Sequence, residues 1–265
     1  MSWATGPRPL RFAHRGASAR APENTLAAFE EAIRHGVDAL ELDVHLSADG
    51  VPVVMHDDTV DRTTNGHGAV SSLRLETLKR LDAGAWFDRR FRGERVPTLE
   101  ETLDCARGRC GLNIEIKEPS SGRRRRSGSP ASPRERSGAA LAAAVARCLA
   151  RSRFAGLLIV SSFAPAALIR ARAAMPRARL GFLASRSSAG LLPLHRRVGL
   201  FALHPHARLA SHGRISAAHQ AGLAVFVWPV NDVPLMLRLV SLGADGLMTD
   251  DPALFSVLDR SAAPS

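Results

Sequence analysis

Three carboxylates, two histidines, one arginine and one lysine stand in short clusters along this chain: His14-Arg15-Gly16, Glu41-Leu42-Asp43, His56 and Glu115-Ile116-Lys117. Together they form an inventory for metal-assisted phosphoryl chemistry. Glu41 and Asp43 are two residues apart in the apolar run 37–46, so on a strand both point to one face, and Glu115 and Lys117 repeat the spacing in 112–117. Burying such groups is expensive unless they pair with one another or with a cation. Glu41, Asp43 and Glu115 are the oxygen ligands that hard divalent cations prefer, and Mg²⁺ and Ca²⁺ both suit them. The competing reading is a salt-bridge network of these carboxylates with Arg15 and Lys117. Arg15 offers a fixed cationic fork for a phosphate. Lys117 is one of only two lysines among 36 basic residues, a point charge kept where arginine is otherwise used, which suggests a phosphate contact.

His56 has to be brought to the carboxylates by the chain between. Asp49-Gly50 separates two apolar runs and signals a hairpin. With those two residues as the turn, Ala48 faces Val51 and Asp43 lies directly opposite His56, side chains roughly 5 Å apart. Trp228 ends an apolar run and is either a wall of the substrate pocket or a core aromatic. Asn24 or Thr25 is read as a helix cap, Glu23 as a first-turn carboxylate or something more, and Asp250 as a helix cap rather than a catalyst. His204 and His206 are left unassigned.

The elements that must position these residues alternate along nearly the whole chain. Strand-length apolar runs fall at 10–14, 39–44, 111–117, 156–161, 179–183, 198–203, 224–230 and 245–249. Helical patterns fall at 25–35, 99–106, 139–151, 165–175, 211–221 and 233–242. Such βα units in 265 residues fit an α/β TIM (β/α)8 barrel with a small insertion after strand 2, about 44–97. The chemically loaded residues sit at or near the C-terminal ends of their strands, the face on which TIM barrels carry their active sites.

Composition bounds the alternatives. The length suits one large domain over 1–265. Cys105, Cys110 and Cys148 lack the spacing of a zinc site or an even disulfide set and read as idle thiols. The first residues lack the apolar core of a signal peptide and no apolar run is long enough to span a bilayer, so a cytoplasmic enzyme is expected. The formal charge of +11 is spread through the chain as arginine and reads as solvated surface. Its one cluster, 123–126, lies in a Ser-, Gly-, Pro- and Arg-rich stretch read as a mobile loop over 119–138. No aromatic residue interleaves it, so no nucleic acid is expected as a partner.

The chain resembles the glycerophosphodiester phosphodiesterase family. The residues that carry the resemblance are His14-Arg15-Gly16, Pro22-Glu23-Asn24-Thr25, Glu41-Leu42-Asp43, Asp49-Gly50, Pro52-Val53-Val54-Met55-His56-Asp57, Arg62-Thr63-Thr64-Asn65-Gly66, Pro97-Thr98-Leu99-Glu100, Glu115-Ile116-Lys117, Trp228, Val230-Asn231 and Thr249-Asp250. The resemblance implies a TIM barrel that hydrolyses a small glycerophosphodiester to glycerol 3-phosphate and an alcohol. It implies one divalent metal ion on Glu41, Asp43 and Glu115, His14 and His56 as the acid–base pair, and phosphate contacts from Arg15 and Lys117. Which histidine is acid and which base is left open, as is whether water or the substrate's own glycerol hydroxyl attacks. Two positions depart from the pattern. Pro229 stands where the family commonly has Thr, and the Arg-rich stretch after Glu118 is longer and more basic than expected. Competing functions are a lysophospholipase D acting on one-chain lysolipids and a catalytically silent barrel that binds polyanions through its basic loop.

Overall fold

The computed structural model describes residues 9–118, 133–187 and 190–261. Among them, nine strands and nine helices follow in chain order: β1 (Leu10–Ala13), α1 (Leu26–Arg34), β2 (Ala39–Leu46), β3 (Pro52–Val54), α2 (Leu75–Arg80), α3 (Leu99–Ala106), β4 (Gly111–Ile116), α4 (Pro133–Ser152), β5 (Leu158–Ser162), α5 (Pro165–Ala174), β6 (Arg179–Ala184), α6 (Leu191–Val198), β7 (Ala202–Pro205), α7 (His212–Gln220), β8 (Ala224–Val227), α8 (Val233–Ser241), β9 (Gly246–Thr249) and α9 (Ser256–Ser261). Eight strands are parallel and run β1-β9-β8-β7-β6-β5-β4-β2; the β1–β2 pairing closes the ring, and β3 adds antiparallel to β2. This is the TIM barrel expected from the alternation.

Period-two alternation divides each strand between two environments. On β2, Leu40, Leu42 and Val44 join the large apolar cluster under the helices, whereas Ala39 joins Phe12, Ile159, Ala202, Phe226 and Met248 in a second cluster. The second cluster fills the barrel. Glu41 and Asp43 share the parity of Ala39 and therefore point inward, and the register pairs Asp43 with Glu115 and Glu115 with Ser161 at one level. His204, on β7, is fully buried and its Nε2 lies 2.5 Å from where a Cβ on Gly181 would be, so only glycine fits there.

Local signals set the element starts. The Thr25 hydroxyl accepts from the Ala28 N–H at 3.3 Å and opens α1, and Thr98 with Glu101 forms a capping box at the head of α3. Between β2 and α3 the insertion builds a small core of its own from Val53, Met55, Val60, Val70, Leu78, Ala83 and Val96.

Several expectations need correction. Val44 pairs with Val54 and His45 with Val53, so the β2–β3 loop has three residues, Ala48-Asp49-Gly50, with Gly50 at φ +81°. Asp43 thus meets Met55, whose N–H donates to the Asp43 carbonyl at 3.0 Å, and not His56. A one-residue slip would turn His56 to the wrong face of a regular ladder. The ladder ends at Val54, however, and the chain beyond it swings His56 back to the barrel mouth. The strand expected at 198–203 begins only at Ala202, because Val198 closes α6, a helix absent from the sequence reading. Pro193 stands in the first turn of that helix, where it forgoes only an N–H that has no intrahelical partner. Helix α4 already starts at Pro133, which takes 133–138 out of the expected mobile loop; the rest of that loop, 119–132, lies outside the described residues.

Candidate active site

At the C-terminal mouth of the barrel, Glu41, Asp43 and Glu115 are buried and each offers a carboxylate oxygen within 4.8 Å of the others. Burial, then repulsion from Asp43 and Glu115, pushes Glu41 well above the usual carboxylate range. Glu115 is pushed by burial to about 7 despite the pull of Lys117. Asp43 is buried too, but Lys117, Arg15 and His56 together with the Asn24 hydrogen bond outweigh desolvation and hold it below its ordinary value. Oxygen donors so close, two of them pushed towards protonation, are what a hard divalent cation relieves, and the set fits one. Two cationic side chains share the same carboxylates. Lys117 Nζ lies 2.9 Å from Asp43 Oδ1 and 2.8 Å from Glu115 Oε1, and Arg15 Nε lies 3.5 Å from Asp43. Arg15 adopts φ +58°, a left-handed backbone rare outside glycine, and its N–H donates to Glu41 at 3.0 Å. The Asn24 amide donates to Asp43 at 2.8 Å.

The two histidines are held alike. His14 Nδ1 donates to Asp250 Oδ1 at 2.6 Å, and His56 Nδ1 donates to Asp57 Oδ1 at 2.6 Å. Each carboxylate fixes its ring in the tautomer that leaves Nε2 to exchange protons. Asp250 is kept ionised, against its burial, by hydrogen bonds from His14, Asn231 and Ser18. His56 is lowered by burial and by nearby Lys117 and Arg15, against the pull of Asp43 and Asp57. His45 Nε2 donates to the His56 carbonyl at 3.1 Å and ties down the backbone where β3 has ended.

A cavity of about 60 Å³ lies between His14, Arg15, Glu41, His56, Glu115 and Trp228. It is flanked by a cleft of about 620 Å³ on the His14–Asp250 side and one of about 480 Å³ on the His56–Lys117 side. Trp228 forms a wall: its Nε1 donates to the His204 carbonyl at 2.8 Å, and its ring packs edge-on against His206 at 5.2 Å and Phe163 at 5.4 Å. Pro229 follows where the chain leaves its bonds to β7 for a bond from the Val230 N–H to Met248, a place that asks no donor of residue 229.

The eight residues assigned to the site from the sequence, His14, Arg15, Glu41, Asp43, His56, Glu115, Lys117 and Trp228, are brought to this mouth. Asp250 is not the helix cap: Asp251 is, accepting from the Ala253 N–H at 3.2 Å, while Asp250 serves His14. Glu23 lies ahead of α1, outside its first turn, and binds Arg15 at 2.9 Å and Arg62. His206 caps a short turn through the Arg208 N–H, and His204 is held neutral by burial, pushed down to about 3. Asp57 and Arg62 stand in stretches that carry the family resemblance but were given no role from the sequence, and Phe163 was not singled out at all. The cysteines are free, and burial holds the thiols of Cys105 and Cys110 near 12 and 11, so both stay protonated. Among the described residues no helix is long and apolar enough to cross a membrane.

Comparison with known proteins agrees with the geometry. Residues 14–254 match the model of the glycerophosphoryl diester phosphodiesterase family. A glycerophosphodiester phosphodiesterase of Caldanaerobacter subterraneus is 37% identical over 249 residues, covering 92% of this chain and 95% of that protein. One from Bacillus subtilis is 30% identical over 262 residues, covering 94% and 85%. The structure of an Oleispira antarctica phosphodiesterase, in complex with the product sn-glycerol-3-phosphate, superposes with a TM-score of 0.84 at 34% identity, covering 95% of this chain and 97% of that one. The chain belongs to the glycerophosphoryl diester phosphodiesterase family.

Proposed function

We propose that this chain hydrolyses glycerophosphodiesters to glycerol 3-phosphate and an alcohol, with His14 and His56 as the acid–base pair and Glu41, Asp43 and Glu115 holding one divalent cation, Mg²⁺ or Ca²⁺. The observation that carries this reading is the pairing of two Asp-held imidazoles across a cavity bounded by buried carboxylates. The product bound in the Oleispira relative supports glycerol 3-phosphate as the product here. A cation in this site supplies charge neutralisation at the phosphoryl oxygens. Arg15 and Lys117 add fixed positive charge at the same place, where charge develops as the phosphorus–oxygen bonds exchange. One imidazole takes the proton of the attacking hydroxyl at Nε2, and the other delivers a proton from Nε2 to the departing alkoxide. Asp57 and Asp250 keep each ring from turning during the transfer. Trp228 closes one side of the cavity. Phe163 beside it is 38% exposed, which favours a second reading, a lysolipid whose single acyl chain lies along these rings.

The test is release of glycerol 3-phosphate from glycerophosphocholine by chelator-stripped protein with Mg²⁺ or Ca²⁺ returned. Metal-restored release is expected. No release with either ion from folded protein overturns the proposal, and release of choline from lysophosphatidylcholine alone selects the second reading.

The metal assignment also predicts a pH dependence of stability. Glu115 is raised from 4.5 to about 7 in the folded, metal-free chain, so over that window the native state holds a proton that the unfolded chain has lost. Stability from this group therefore falls as pH rises through the window. A cation requires the ionised carboxylate, so its binding strengthens over the same range. The rise in Tm on adding Mg²⁺ or Ca²⁺ is expected to be larger at about pH 7.5 than at about pH 5. An equal rise at both would count against the carboxylate trio as the metal site.

A further inference from the structure

One histidine of the proposed acid–base pair, His56, and the arginine beside the carboxylates, Arg15, are joined through a side chain outside the cavity. We infer that Arg62 is a positioning residue for the reaction, clamping Asp57, and through it the ring of His56, to Glu23, and through it the side chain of Arg15. This rests on the function proposed above. The Arg62 Nε donates to Asp57 Oδ2 at 2.7 Å and Nη2 to Asp57 Oδ1 at 3.1 Å. On the other edge of the same guanidinium, Nη1 donates to Glu23 Oε2 at 2.8 Å and Nη2 to Glu23 Oε1 at 2.8 Å. Glu23 in turn accepts from Arg15 Nη1 at 2.9 Å. An unbroken run of charge-assisted bonds thus leads from His56 through Asp57, Arg62 and Glu23 to Arg15, whose own N–H binds Glu41.

The run matters because of where its ends stand. His56 lies beyond the last ladder pair of β3, and His45 fixes only its carbonyl; the ring is held by Asp57, a loop residue whose two oxygens are both engaged by Arg62. Arg62 belongs to the insertion and Glu23 to the loop between β1 and α1, 39 residues apart, so this one guanidinium ties the insertion to the barrel beside the cavity. Only a planar fork can satisfy two carboxylates edge to edge; a lysine ammonium is a single point of attachment. Its side chain is 45% exposed, so its removal leaves the apolar cores untouched.

Arg62→Met keeps the stem and removes the fork. With saturating metal and glycerophosphocholine it is expected to lower kcat by about 10- to 100-fold, the scale of a misplacement near 1 Å, with Tm close to wild type. Arg62→Lys should recover only part of the loss. In a Glu23→Gln, Asp57→Asn background the same Arg62→Met change should lower kcat by less than about threefold, because the groups it acts through are already uncoupled. A kcat for Arg62→Met within about twofold of wild type, or an equal loss in both backgrounds, overturns the inference. Should Arg62→Met fold poorly, Arg62→Lys is carried through the same comparison. The imidazole ¹⁵N shifts of His56 give a readout independent of substrate: the fixed Nδ1–H tautomer of the wild type is expected to give way to a mixture in the variant, and unchanged shifts overturn the inference. Absence of turnover by the wild type would instead strike the proposed function, leaving the ¹⁵N shifts to decide the role of Arg62.

Discussion

Replacing His56 or His14 with alanine is expected to lower kcat on a glycerophosphodiester by about 10²- to 10⁴-fold, the range that positioned acid–base groups contribute. The two losses should be comparable, because the rings are built into the site in the same manner. Each donates from Nδ1 to an aspartate at 2.6 Å. Each borders the same small cavity. Neither truncation removes a packing element of the barrel, as both rings stand at its mouth, so the variants should stay folded and bind metal. Activity assays alongside thermal denaturation check this. A loss below tenfold at both positions, in folded protein, would mean that proton transfer is performed by other groups.

The second large effect is expected at Asp43. Changing it to asparagine keeps the shape of the side chain and removes its charge, at a residue whose side chain is 1% exposed and which faces Lys117 at 2.9 Å, Asn24 at 2.8 Å and Arg15 at 3.5 Å. Charge stabilisation by a bound cation is worth several kcal/mol, and each 1.36 kcal/mol is a factor of ten, so a fall in kcat of at least about 10³-fold is expected. Stability should fall by less than the ~3–5 kcal/mol of a fully broken buried ion pair, since Lys117 retains Glu115 and Arg15 retains Glu23. Isothermal titration with Mg²⁺ or Ca²⁺ separates the causes. Weakened metal binding with preserved fold supports the proposed ligand role, whereas wild-type affinity together with wild-type turnover removes Asp43 from it.

How far the site can be read from sequence depends on the range of the interaction. Glu41 and Asp43 were legible because two carboxylates at period two inside a continuous apolar run must share a face, and that face had to be the interior once the run was a barrel strand. The eight parallel strands were legible for the same reason, as buried runs at regular intervals. The hairpin register was not, because a two-residue and a three-residue turn share the same Asp49-Gly50 signal and differ only in where Gly50 takes its positive φ. The choice between Asp250 and Asp251 turns on parity: Met248 faces the interior, so Asp250 does too, and Asp251 is left to cap the following turn. Arg62 stands in a stretch that carries the family resemblance, but nothing local gives it a role in an arginine-rich chain, because its partner Glu23 is 39 residues away. Pairings at that distance are a property of the folded chain.

His14 and His56 do not share the same support. The first follows a barrel strand; the second follows β3, whose Val54 packs in the main core while Val53, and Met55 next to His56, belong to the separate apolar cluster of the insertion. Cooperative units of this size open more readily than the body they lean on. A brief detachment of the insertion would carry one imidazole away while all eight parallel strands stayed paired, leaving a molecule indistinguishable from native by its barrel yet unable to turn over substrate. Activity is therefore expected to be lost on heating or in denaturant before the barrel itself unfolds, the insertion giving way first.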